Sequence, residues 1–154
     1  MSDALCIPPS RLRDHGRFAA AAARTRRRLP GGARPRSALH ASRIGCQAIG
    51  LRIERLERAM CPRWHVDRTG IRLLCTWRGP GTEWLDDPRI DPRGLLGSAA
   101  DAPATGQARP FDILLLKGSA WQGNAAGGAI HRSPQVAPGS DPRILVALDA
   151  LWDD

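Results

Sequence analysis

The stretch Ile71-Arg72-Leu73-Leu74-Cys75-Thr76-Trp77-Arg78-Gly79-Pro80-Gly81-Thr82-Glu83-Trp84-Leu85 decides the fold class. Ile71–Trp77 is rich in Leu and aromatic residues and reads as a strand. Gly79-Pro80-Gly81 turns the chain, and Thr82–Leu85 extends it again. Working outward, Ile49, Leu51 and Ile53 alternate with Gly50, Arg52 and Glu54, the period of a half-buried strand. His65 to Asp67 follows the breaker Pro62. On the other side, Asp86 to Pro110 is a loop by composition, with one helical turn expected near Arg93–Leu96. Phe111–Leu116 is an apolar run of strand length that ends at Gly118. After the glycine-rich turn Gly123 to Gly128, Ala129–His131 is extended, and Arg143–Leu148 is a last apolar strand behind Pro142. Short strands punctuated by Gly and Pro, with no strong helical period and no internal repeat, argue for an all-β sandwich or barrel.

The chain has 154 residues, enough for one domain. Its net charge of +8 is unevenly spread. Residues 1–45 hold ten arginines against Asp3 and Asp14, whereas residues 46–154 hold thirteen basic and thirteen acidic side chains and balance to zero. The basic excess therefore belongs to an Arg/Ala-rich tail, 1–45, and not to the folding unit, 46–154. With few large apolar residues, that tail is expected to stay disordered or poorly ordered. A nucleic-acid or anionic-lipid arm and an organellar transit peptide are two functional readings of it. GC-rich coding is the plainer one, since a single lysine, Lys117, stands against twenty-two arginines. Nucleic acid is accordingly not expected as a partner. No run approaches the roughly 18 apolar residues of a membrane span. Ala19–Ala23 is too short for a secretory signal and is followed by arginines. Cys6, Cys46, Cys61 and Cys75 form no C-x-x-C pair, so a zinc ribbon is unsupported and a reducing, cytoplasmic setting is the default. Cys75, within an apolar strand, is expected as a buried thiol.

Two of the four histidines lie in the tail; the others, His65 and His131, sit in strand-like contexts. The spacing His65-Val66-Asp67 points an imidazole and a carboxylate to one side of an extended strand. His131 from a distant strand would complete a set of two histidines and one carboxylate, which leaves positions open on a metal ion. Spacing alone is a weak signal, and a structural histidine is the commoner role at either position. Trp64, Trp77, Trp84 and Trp121 are expected in the core and at its rim. Arg78, Arg132, Lys117 and Glu83 are expected to be solvated or structural.

The segment His131-Arg132-Ser133-Pro134-Gln135-Val136-Ala137-Pro138-Gly139-Ser140-Asp141-Pro142-Arg143 resembles the distal half of the iron(II)- and 2-oxoglutarate-dependent oxygenases. The resemblance is one of motif order over Cys61 to Asp149. It implies a double-stranded β-helix, a jelly-roll or cupin-like barrel, with Fe(II) on His65, Asp67 and His131. It also implies that Arg143 pairs through its fork with the distal carboxylate of 2-oxoglutarate. The chain departs from that pattern in having no tyrosine. The strings Cys61-Pro62-Arg63-Trp64-His65-Val66-Asp67-Arg68, Arg72 to Leu85, Leu115-Leu116-Lys117-Gly118 and Ala129-Ile130-His131-Arg132-Ser133-Pro134 are similar to a bacterial family, domain of unknown function 1826. That likeness implies no established activity. It does imply a link to zinc homeostasis, which makes zinc the rival metal, with Cys61 beside His65 and His131 as an alternative ligand set. The leading expectation is a metal-dependent, oxygenase-like protein acting on an unknown small molecule or protein. The alternative is a non-catalytic zinc-binding jelly-roll protein. The sequence leaves the oligomeric state open.

Overall fold

The computed structural model of the chain describes residues 3–12, 46–86, 102–124 and 127–152. Their regular structure is strand but for one helical turn, so the all-β class holds. In chain order the elements are β1 (Ala4–Ile7), a helical turn α1 (Pro9–Leu12), β2 (Ala48–Leu56), β3 (Ile71–Arg78), β4 (Glu83–Leu85), β5 (Gly106–Gln107), β6 (Ile113–Lys117), β7 (Ile130–Arg132) and β8 (Arg143–Leu151). Among the described residues no helix is long and apolar enough to cross a membrane.

The strands form two open antiparallel sheets, one of five strands in the order β1-β6-β3-β8-β2 and one of three in the order β5-β4-β7. Alternation along β3 and β8 sends Leu74, Leu145 and Ala147 inward, where Leu114 and Leu116 of β6 and Trp84 of β4 meet them. Leu114 and Leu116 are each 1% exposed; burial of one such side chain is worth about 1.5–3 kcal/mol. A second apolar cluster, of Trp64, Leu85 and Ile130, covers the far side of the three-stranded sheet.

Three expectations change. Ala4–Ile7 was read as part of the tail, but it pairs along β6 and extends the large sheet, with Cys6 packed against the core. The apolar run at 111 enters its strand two residues late. Asp112 accepts from the Arg109 amide through its carboxylate and donates its own amide back to Arg109, and this turn leaves Phe111 exposed at a φ of 70°. In β2 the alternation is present with its faces reversed. Leu51 and Ile53 point out to solvent while Glu54 points in, because the inner wall at this edge is polar. Residues 13–45 of the expected tail, and the turn expected near Arg93–Leu96, lie outside the described residues.

Candidate metal centre

The segment after Pro62 is stitched to β7 by a pair of reciprocal bonds. The His65 amide donates to the His131 carbonyl and the His131 amide to the His65 carbonyl, both at 3.0 Å. This antiparallel bridge makes the two histidines direct cross-strand neighbours, with ring centroids 4.4 Å apart. Period two then assigns the sides. Trp64 packs into the outer cluster and donates its indole N–H to the Ala102 carbonyl, with Val66 beside that cluster. His65 and Asp67 therefore face His131.

Two glycines let the Asp67 loop sit this deep. Gly118 lies against its backbone: a Cβ there would stand 2.1 Å from the Thr69 carbonyl oxygen. The turn it begins donates from Ser119 to the Asp67 carbonyl and from Gly118 to the Gly70 carbonyl, both at 2.9 Å. Gly128, at a φ of 133°, leaves room for Val66.

Both imidazoles are held in one tautomer. Nδ1 of His65 lies 2.9 Å from the Arg63 carbonyl oxygen, and Nδ1 of His131 lies 2.9 Å from that of Ala129. A carbonyl only accepts, so each Nδ1 carries the proton and donates, and each Nε2 presents a lone pair. Burial, reinforced by His131, holds His65 below its usual pKa. Burial acts to raise Asp67, but a protonated His131 that donates to it, with Arg72 and His65, outweighs burial and holds the carboxyl at about 2. With both imidazoles neutral, two lone pairs and a carboxylate converge. Nε2 of His131 is 3.4 Å and Nε2 of His65 is 3.8 Å from the Asp67 oxygens. Charge-assisted hydrogen bonds are shorter, about 2.7–2.9 Å. Ligand atoms about 2.1 Å from one metal ion stand about 3.0–3.4 Å apart, depending on its geometry. The His131–Asp67 pair falls at the upper end of that range and His65–Asp67 beyond it, and all three ligand atoms lie within 4.8 Å of one another.

Two arginines shape the surroundings. Arg72 on β3 donates from Nη1 to Asp67 Oδ2 at 2.6 Å and from Nε to Asp149 Oδ1 at 2.5 Å. It ties the candidate ligand to β8 and leaves Asp67 Oδ1 facing His65. Arg143, at the start of β8, is 1% exposed. Its Nη2 donates to Thr82 Oγ1 at 2.8 Å and to Thr76 Oγ1 at 3.2 Å, while its buried Nε has no partner. Burial pushes this guanidinium down to about 10, with Glu54 acting the other way. A cavity of about 50 Å³ connects the parts: His65, His131, Arg72, Thr82 and Arg143 all line it, as does Cys61.

The structure thus gathers His65, Asp67 and His131 and sets Arg143 in the same cavity. Cys61 is exposed and lies outside the cluster of ligand atoms. Other side chains have structural partners: Arg132 pairs with Glu83 at 2.6 Å and stacks over Trp64, Arg78 pairs with Asp141, and Lys117 reaches Asp3 at 3.7 Å. Cys75 is buried, Trp64 is core, and Trp77 is exposed. Arg72, Thr76 and Thr82 are additions. Arg72 and Thr76 share the inward phase of β3 with Leu74, so alternation carried a signal for them; Thr82 precedes β4 and carried none.

Comparison with curated proteins and with solved structures returns no match. The profile of one family, described as protein of unknown function (DUF1826), matches residues 37–149, which include every residue of the candidate centre. The chain belongs to the DUF1826 family.

Proposed function

We propose that this domain is a double-stranded β-helix that holds a divalent metal ion on His65, Asp67 and His131, and that it oxidises a substrate with 2-oxoglutarate as co-substrate. The strand order supports the fold. With the His65 segment counted as a strand beside β7, the sheets read β2-β8-β3-β6 and His65 segment-β7-β4-β5, so the chain passes back and forth between them as a jelly roll requires. Iron(II) in such a three-ligand site would supply the activation of dioxygen in its remaining positions. The chain's own residues do the rest. His65 and His131 present Nε2, Asp67 offers Oδ1, and Arg72 fixes the second carboxylate oxygen.

The observation that carries the reading is Arg143. A guanidinium is costly to bury, and this one, inside the cavity that both histidines line, has hydroxyl partners and an unpaired Nε, with Glu54 close enough to act on it but no carboxylate hydrogen-bonded to it among the described residues. It is the natural anchor for the far carboxylate of a dicarboxylate whose other end reaches the metal. At about 50 Å³ the cavity has room for a few waters. Binding a five-carbon diacid therefore requires flexible wall residues, Met60 first, to swing aside.

The test is made on the full chain purified without oxygen. It should take up iron(II) and consume 2-oxoglutarate, and Arg143→Met should abolish consumption while keeping the metal. A metal-loaded protein that leaves 2-oxoglutarate untouched would overturn the catalytic part. Cys61 on the cavity wall favours a second reading, a closed zinc site of four ligands. In that case Cys61→Ser would lower zinc affinity, whereas the open site predicts no change.

A further inference from the structure

Three buried side-chain polar atoms among the described residues have no hydrogen-bond partner: Oε2 of Glu54, Oγ1 of Thr69 and Nε of Arg143. Two of them, on Glu54 and Arg143, belong to residues that line one cavity, the one beside His65 and His131. They are of opposite kind. A carboxylate oxygen only accepts, and a guanidinium N–H only donates. Each costs free energy when buried without a partner, and here both costs fall in the same small space.

The sheet register makes these two side chains neighbours. On the inner face, Glu54 of β2 stands opposite Leu145 of β8, and Leu56 stands opposite Arg143. Glu54 and Arg143 are therefore diagonal partners, roughly 7–8 Å apart across the strands and within reach of each other. They do not bond. Glu54 takes a bond on its other oxygen, Oε1, from Arg52 at 3.2 Å. Arg143 reaches away from β2, to the hydroxyls of Thr76 on β3 and Thr82 ahead of β4. Each is held by other groups and keeps one charged atom uncommitted. The network that meets here is balanced, with Arg52, Arg72 and Arg143 against Glu54, Asp67 and Asp149. A ligand that matches it without a metal has no net charge and two opposite ends.

We infer that this cavity binds a small α-amino acid as its zwitterion, with the carboxylate on Arg143 and the ammonium on Glu54. A single carbon separates the two charged groups of such a molecule, which suits the short diagonal between the two side chains. A simple carboxylate would satisfy Arg143 but lie against the Glu54 carboxylate; a simple amine would do the reverse. At about 50 Å³ the cavity accepts only a few non-hydrogen atoms, the size of glycine or alanine. There is a way in, since Glu54 lies on the edge strand β2 and Arg52 and Met60 on the same wall are exposed. This binding needs neither metal nor oxygen and goes beyond the oxygenase reading, although the amino acid and 2-oxoglutarate would exclude each other at Arg143.

The experiment is a calorimetric titration of the full chain, stripped of metal beforehand, with glycine, acetate and methylamine in turn. Glycine should bind roughly tenfold or more tightly than either of the others. Glu54→Gln should weaken glycine by a similar factor and leave acetate unchanged or tighter. Glycine no tighter than acetate would make the cavity a plain anion site, and glycine no tighter than methylamine a plain cation site; either overturns the proposal. So does an unchanged glycine affinity in Glu54→Gln, or no heat from any probe, which would leave the cavity to water. If the variant weakens both ligands or does not fold, the three probes on the parent decide alone. The oxygenase reading can fail with this result intact, because no metal, oxygen or 2-oxoglutarate is present.

Discussion

Asp67 shows how much one side chain is asked to do. Its Oδ1 faces His65, its Oδ2 faces His131, and Arg72 bonds that second oxygen at 2.6 Å. Arg72 is itself held by Asp149, its cross-strand neighbour on β8, so the carboxylate is aimed from the large sheet. Partners of this kind set a ligand's orientation, and their loss typically costs 10–100-fold in metal affinity. Arg72→Ala should therefore weaken cobalt(II) binding by about 10–100-fold without unfolding the protein, as read by titration calorimetry. Unchanged or tighter binding would mean that Arg72 only competes with the metal for Asp67. The candidate histidines were legible in the sequence because H-x-D places two ligands on one side of a strand. Alternation puts Arg72 on the inward side of β3, but its partners depend on which strands become neighbours, and spacing along the chain does not encode that.

Among the elements, the turn after β6 is the least tolerant of change. Gly118 lies where a Cβ would be 2.1 Å from the Thr69 carbonyl oxygen, a backbone atom that cannot move aside alone. Gly118→Ala should cost about 1–3 kcal/mol, the usual penalty of overpacking, and show as a lower urea midpoint. Because Ser119 in the same turn holds the Asp67 carbonyl, the variant should also bind cobalt(II) more weakly. A midpoint equal to wild type would show that the loop has slack. Most strands of the sheets were readable from alternation, but which side of each faced the core was not always so. In β2 the apolar side faces out, since the opposite side carries Arg52 and Glu54 into the polar cavity. The short β1 and β5 were hidden for another reason: both lie in stretches whose composition reads as tail or loop, and their pairing is made by partners far along the chain.

At the scale of the whole molecule, polar and apolar functions are divided by position. One end of the interior is packed with Leu74, Leu114, Leu116 and Ala147, and the other lines a cavity with His65, His131, Arg72 and Arg143. A buried guanidinium and two converging imidazoles are costly in a purely structural core unless water or an ion completes their bonding. The proposed metal and anionic co-substrate rest on that cost. The most direct measurement is a cobalt(II) titration of the metal-free full chain, followed by visible absorption, for the parent and for His131→Ala. The account predicts weak bands that saturate at one metal per chain, shift when 2-oxoglutarate is added, and vanish in His131→Ala. Absence of binding in the parent, or an intense thiolate band lost in Cys61→Ser, would contradict it.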